Sequence, residues 1–278
     1  RKRLSNFIRC NSGRTVFCIM KKRLDLILFE KGFFETKNAA SSAILAGNVK
    51  IDDTPVTKAG QLFDEEKLFN KEKPHKIEIK TLPYVSRGGL KLKGAIDYFK
   101  INLKDKVCID MGSSTGGFCD CMLQEGAKKV FAVDCGTNQL AWKLRCDKRI
   151  VSKENVNIKT CKFEDIFGEN YSGELPEFLS MDLSFISIKK VLENCKNFIC
   201  ENAQLVILIK PQFEAQREEI AKGGIVKDKK VHEKIINDIK EFCSNLNLET
   251  QGVIESPIKG AKQGNTEYLI YLKRKENQ

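Results

Sequence analysis

Val107-Cys108-Ile109-Asp110-Met111-Gly112-Ser113-Ser114-Thr115-Gly116-Gly117-Phe118 decides the fold of this chain. An apolar strand ends in an acid, and a glycine-rich turn then feeds a helix. Glycines let the backbone approach a ligand closely. Their spacing, G-x-x-x-G-G, matches neither the dinucleotide fingerprint G-x-G-x-x-G nor a Lys-bearing phosphate loop. The next strand, 129–133, ends at Asp134, 24 residues after Asp110, where a carboxylate commonly takes a ribose diol.

Outward from this turn, strand-like runs at 106–110, 129–133, 178–182, 204–209, 249–255 and 267–273 alternate with helical patterns at 117–125, 138–145, 187–200 and 231–244. A weaker strand is expected near 155–158. Such alternation predicts an α/β domain: a Rossmann-like, mostly parallel, seven-stranded sheet covered on both faces. The last two strands are separated by about ten residues and no helix, so the final one is expected to run antiparallel.

S-adenosylmethionine suits the glycine turn, because it carries a zwitterionic methionine, a sulfonium and a ribose but no phosphate. Asp110 is read as facing the amino group or the sulfonium. The loop Gly112, Ser113, Ser114, Thr115, Gly116, Gly117 and Phe118 would take the carboxylate on backbone N–H groups, and Asp134 the ribose. Asp165 is read either as an adenine contact or as an ordinary surface acid. Three charges end or begin apolar strands: Asp182 after Phe178–Met181, Lys210 after Leu205–Ile209, and Glu267 at the start of the last strand. In a sheet parallel apart from that strand they share the carboxyl edge, where open α/β sheets bind ligands. Lys91, on a helix preceding the first strand, can reach over. Two lysines and two acids beside a methyl donor form a proton-handling set.

The formal charge of the 278 residues is +11, and +10 of it lies in residues 1–100. Half of that sits on residues 1–19, which hold five Lys/Arg and no acid and are expected, with Met20, to be a disordered basic tail (1–20). The basic excess is read as a grip on a polyanion, against the alternative of solvated lysines. Apolar runs such as Leu205–Ile209 are far short of the roughly 18 residues of a membrane span, so no membrane partner is expected. The eleven cysteines show no C-x-x-C and no paired His spacing. They read as small buried hydrophobes in a reducing cytosol, with no metal site.

Residues 21–80 read as a small α+β unit. A helix opens at Lys22-Arg23-Leu24-Asp25 and stops near Gly32, and a second runs over about 37–46 to a left-handed cap at Gly47. Strands are expected at 49–52 and 76–80, with a turn through Asp53-Thr54-Pro55. Arg23-Leu24-Asp25, Ser41–Gly47 and Val49–Asp53 resemble the small RNA-binding domain first described in ribosomal small-subunit protein four. That resemblance implies that Lys21, Lys22, Arg23, Lys37 and Lys50 face RNA, holding phosphates rather than reading bases.

Residues 81–278 form the second expected domain. Tyr84–Leu92, Asp110–Asp120, Met181–Ser187, Ile209–Glu214, Lys222–Val226, Ser256–Gly260 and Gly264–Glu267 resemble the TlyA family, FtsJ-like ribosomal RNA methyltransferases acting on a cytidine 2′-hydroxyl and also known as haemolysins. The resemblance implies a catalytic set of Lys91, Asp182, Lys210 and Glu267. It further implies a ribosomal RNA substrate, in the large subunit by this reading, with Arg87 added to the RNA contacts. The expected enzyme is a cytoplasmic monomer in which Lys210 assists removal of the hydroxyl proton or stabilises the alkoxide. Asp182 would orient Lys210, and Glu267 would hold Lys91 or the ribose. Two other readings stand beside it: a non-catalytic RNA-binding assembly factor, and a pore-forming haemolysin.

Overall fold

Val107–Met111 becomes the strand around which the larger part of the chain is wound. In a computed structural model, residues 21–34, 36–70, 72–80, 83–260 and 265–275 are described. The expected basic tail, 1–20, lies outside them. The chain divides into two units, residues 1–81 and 82–278.

In the first unit the order is β1 (Lys21–Arg23), α1 (Leu24–Glu30), α2 (Lys37–Leu45), β2 (Val49–Ile51), β3 (Thr54–Val56), β4 (Leu62–Asp64), α3 (Glu65–Leu68) and β5 (Ile77–Ile79). Leu24, Ile27 and Leu28 of α1 pack with Ala40 and Ile44 of α2 over Val49 and Ile51, as the helical spacing of these residues predicts. Gly47 closes α2 at φ +70°. The turn expected at 53–55 falls one residue earlier. Asp52 and Asp53 both take positive φ, which makes a two-residue hairpin and turns Thr54-Pro55-Val56 into a strand on β2. Strands β1 and β4 pair separately, beyond what periodicity revealed in segments of three residues.

The second unit runs α4 (Gly88–Phe99), β6 (Val107–Met111), α5 (Gly117–Gln124), β7 (Lys129–Val133), α6 (Trp142–Arg145), β8 (Ile150–Lys153), α7 (Phe163–Phe167), β9 (Phe178–Met181), α8 (Leu192–Cys195), β10 (Gln204–Ile209), α9 (Pro211–Glu214), α10 (Lys229–Asn245), β11 (Leu248–Glu255) and β12 (Tyr268–Arg274). The seven strands stand in the order β11-β12-β10-β9-β6-β7-β8, and β12 alone is reversed. From β6 the chain steps outward through β7 and β8, then returns to place β9 on the other side. The order therefore reverses at the carboxyl end of β6, the point where open α/β sheets take ligands.

Alternate residues of each strand feed two cores. Val107, Ile109, Leu205, Ile207 and Ile270 belong to one core, to which α10 contributes Ile235 and Ile239. Cys108, Val130, Phe178 and Leu208 face α4 and α5, which contribute Leu92, Ile96 and Met122. This alternation puts Asp110 on the α5 side of the sheet.

Three expected elements differ. The edge strand is 150–153 rather than 155–158, because Asn155 turns at φ +59° and leaves Val156 to bond back to Asp134 O at 3.0 Å. The helix expected over 138–145 is reduced to α6, since Asn138 is left-handed and Ala141 is extended, its N–H donated to Thr115 O at 3.2 Å. The helix expected over 187–200 buries Ile188, Leu192, Cys195 and Phe198, but as α8 flanked by two 3₁₀ turns. Asn194 anchors it by donating Nδ2 to Ile158 O and Cys161 O. In β11 the register shifts between Thr250 and Gly252, a bulge.

Among the described residues no helix is long and apolar enough to cross a membrane, and no group of three or more His, Cys, Asp or Glu is arranged to hold a metal ion. The nine described cysteines are free thiols.

Candidate active site

Asp110, next to last in β6, is 1% exposed. Its Oδ1 accepts from Ser180 Oγ at 2.7 Å and its Oδ2 from Cys119 Sγ at 3.1 Å. Burial pushes its carboxyl up to about 7 against those two hydrogen bonds, with Asp182 and Asp134 adding to the rise. A cation beside it would reverse that shift, and Asp110 lines a cavity of about 670 Å³ at the strand-order reversal.

The glycine turn makes one wall of this cavity, through Gly112, Ser113, Ser114, Thr115, Gly117 and Phe118. Several of its amides are already used. Gly112 and Ser113 donate to Val133 O, Gly116 to Ser113 O, and Ser114 to Asp134 Oδ2 at 2.8 Å. The N–H groups of Gly117 and Phe118, in the first turn of α5, have no intrahelical acceptor, and they are the natural seat for a carboxylate. Gly117 is needed for a second reason. A Cβ there would lie 2.2 Å from Ser86 Oγ and 2.9 Å from Gly89 N, so the start of α4 could not approach α5. Gly117→Ala is expected to cost about 1–3 kcal/mol in urea unfolding; unchanged stability would show that the approach is not tight.

Asp134 braces the loop, its Oδ1 accepting from Gly136 N at 2.7 Å and its Oδ2 from Ser114 N. Asp165 accepts from Lys162 N at 2.7 Å and so caps α7. Neither acid is on the cavity wall, nor is Gly116, which forms the left-handed entry to α5.

The four charges expected together do meet. Lys91 Nζ donates to Glu267 Oε2 at 2.6 Å and lies 3.9 Å from Asp182 Oδ2. Lys210 Nζ lies 2.6 Å from Asp182 Oδ1, an ion contact without hydrogen-bond alignment, and donates to Ser184 Oγ at 2.9 Å. Both lysines are 9% exposed and Glu267 is 3% exposed. The backbone of Lys210 is extended, at φ −111° and ψ 101°, because the ring of the following Pro211 crowds out the helical alternative.

Sequence reading assigned no role to Ser180, Cys119, Ser184, Gln212 or Phe185. Ser184, Gln212 and Phe185 all line the cavity. Phe185 is 85% exposed with φ +67°, its ring 5.2 Å from that of Phe213. A large exposed apolar ring held left-handed was a signal only a structure could give.

Of the cations expected on RNA, Arg87 lines the cavity and is exposed. In the first unit Lys22 is held by Glu30 at 3.1 Å and Glu65 at 2.8 Å. Arg23 grips Asp25 through Nε and Nη2, at 3.0 and 2.7 Å, and holds that buried carboxyl below its usual range. Lys21, Lys37 and Lys50 are exposed and form no ion pair among the described residues.

A ligand cavity at the sheet's strand-order reversal, with a glycine turn on one side and paired Lys–acid contacts on the other, defines a Rossmann-like group-transfer domain. The chain belongs to the FtsJ-like methyltransferases, whose family model matches residues 84–274, and within them to the TlyA group. The S4 domain matches residues 22–67. A Bacillus subtilis protein described as a candidate rRNA methyltransferase is 42% identical over 91% of this chain and 85% of its own length. The Mycobacterium tuberculosis 16S/23S rRNA (cytidine-2′-O)-methyltransferase TlyA is 33% identical over 91% of this chain and 90% of its own. A solved Streptococcus thermophilus chain, described as a candidate hemolysin, is 38% identical with a TM-score of 0.70, covering 94% of this chain and 90% of that one.

Proposed function

We propose that this methyltransferase moves the methyl group of S-adenosylmethionine to the 2′-hydroxyl of a cytidine in ribosomal RNA, in the cytoplasm and as a monomer. The observation that carries this reading is the meeting of Lys91, Asp182, Lys210 and Glu267 in one cavity with buried Asp110. The residues fit the cofactor. Asp110 suits its cationic amino group, and the Gly117 and Phe118 amides its carboxylate. When bound, S-adenosylmethionine supplies a methyl carbon already activated by sulfonium.

The chain's own task is then to place a hydroxyl in line and manage its proton, and placement supplies much of the acceleration. Lys210, held between Asp182 and Ser184, bonds the 2′-oxygen and stabilises the negative charge that grows there as the hydroxyl proton passes to solvent water and the oxygen takes the methyl carbon from sulfur. Asp182 keeps the Lys210 ammonium aimed inward. Glu267 does the same for Lys91, and Arg87 at the cavity mouth meets phosphate. The exposed face of Phe185 offers a surface on which an unstacked base can rest. The S4 unit holds rRNA through Lys21, Lys37 and Lys50.

Ribosomal subunits from cells lacking the gene, incubated with the protein and tritiated S-adenosylmethionine, test this. Tritium on a cytidine ribose, with large-subunit RNA the expected acceptor, supports it. An absence of incorporation into either subunit, with the cofactor bound, would favour an RNA-binding assembly role instead.

A further inference from the structure

Two loops carry the reacting face of the cavity. One follows β9 and bears Asp182, Ser184 and Phe185; the other follows β10 and bears Lys210, Gln212 and Phe213. We infer that Glu214 is a positioning residue that clamps these two loops together and so sets the distance between Lys210 and the Asp182–Ser184 pair. The inference rests on the methyl-transfer reading above.

Glu214 touches neither the cavity nor the four charges in it. It stands at the end of α9, one helical turn beyond Lys210. That turn is stiff: Pro211 opens it, Phe213 N donates to Lys210 O at 2.9 Å, and Ala215 N donates to Pro211 O at 2.8 Å. From this base the Glu214 carboxylate crosses to the other loop. Its Oε2 accepts from Ser187 Oγ at 2.6 Å and its Oε1 from the Ile188 backbone N–H at 2.8 Å.

The loop it grips has reason to move. Phe185 sits at φ +67°, a conformation costly for a side chain with a Cβ, and the residues around it form no regular element. At its near end Asp182 N is tied to Met111 O at 3.3 Å. At its far end Ser187 and Ile188 are tied to Glu214. Between these ties lies Ser184, the acceptor for Lys210 Nζ.

Burial pushes the Glu214 carboxyl above the usual carboxylate range, against its two hydrogen bonds and the nearby Lys189 and Lys190 charges. Reach and hydrogen bonding, more than charge, therefore make the clamp. Satisfying a buried loop end would need no particular side-chain length, whereas a clamp does.

Glu214→Gln and Glu214→Asp separate these roles. Gln keeps the reach: its carbonyl oxygen accepts from Ile188 N, and its amide donates to Ser187 Oγ. Asp keeps the charge but is one methylene short. Three readouts are compared in the full-length protein: single-turnover methyl transfer to ribosomal subunits, calorimetric affinity for S-adenosylmethionine, and hydrogen exchange at the Ile188 amide.

Glu214→Asp is expected to slow transfer about 100-fold, the scale of an ångström misplacement, with cofactor affinity unchanged and Ile188 exchange accelerated. Glu214→Gln is expected to restore both the rate and the protection. A Glu214→Asp protein with wild-type rate, a Glu214→Gln protein as slow as Glu214→Asp, or a parallel loss of cofactor affinity in both would overturn the inference. A wild-type protein that transfers no methyl overturns the functional reading instead, and Ile188 exchange in the variants still decides whether Glu214 holds the loop.

Discussion

Lys210→Ala slows methyl transfer by about 10²–10³-fold, the range for removing one donor that stabilises a developing oxyanion, and leaves the affinity for S-adenosylmethionine nearly intact. The expectation follows from where Lys210 Nζ stands. It is the cation between Asp182 Oδ1 and Ser184 Oγ, on the carboxyl edge beside the glycine turn. Asp110 and the start of α5, which hold the cofactor in the proposed reading, lie on β6 and the turn after it and are untouched by the change. Single-turnover tritium transfer and calorimetry on the same preparation check both halves. Turnover retained by the variant would remove Lys210 from the chemistry, and a lost cofactor affinity would recast it as a binding residue.

Asp110→Asn acts on the opposite half of the reaction. With its carboxyl pushed up to about 7 by burial, Asp110 in the ligand-free protein exchanges its proton near neutrality. A cationic amino group binds the ionised form, so cofactor affinity rises between about pH 6 and about pH 7.5, before the ligand's own α-amino group starts to lose its proton. The variant loses most of that affinity and flattens the pH dependence.

Stability moves the other way. A carboxyl whose folded pKa is raised supports the fold below its unfolded value of 3.8 and loses that contribution as pH rises through about 7. Ligand-free Asp110→Asn therefore declines less in melting temperature between about pH 5 and about pH 8 than the wild type does. A wild-type affinity that is level across this range, or an unchanged affinity in the variant, would remove the assigned role.

What could be read in advance was whatever depends on neighbours in sequence or on sheet direction. Val107–Phe118 announced strand, acid, turn and helix within twelve residues. Asp182, Lys210 and Glu267 could be gathered without a structure because parallel strands deliver their ends to one edge, and reversal of the last strand delivers its beginning there too. The supporting contacts could not be read. Ser180 reaches Asp110 across 70 positions of chain, and Ser187 reaches Glu214 across 27. Asp134 stood where a ribose contact was expected, yet its oxygens accept from two loop amides, which only the path of the turn determines. The shortened helix at 142–145 arose likewise, since Ala141 bonds to the glycine turn rather than to its own segment.

The bulge in β11 bears on how the protein behaves at high concentration. A long, flat outer strand offers a row of unpaired amides and carbonyls that another chain can extend into an aggregate. Here one margin of the sheet is β8, only four residues long and ending in Lys153. The other is β11, interrupted between Thr250 and Gly252 and carrying Glu249 and Glu255 at its ends. Neither margin presents a straight template, so the open sheet that gives the cavity its position does so without inviting strand addition from other chains.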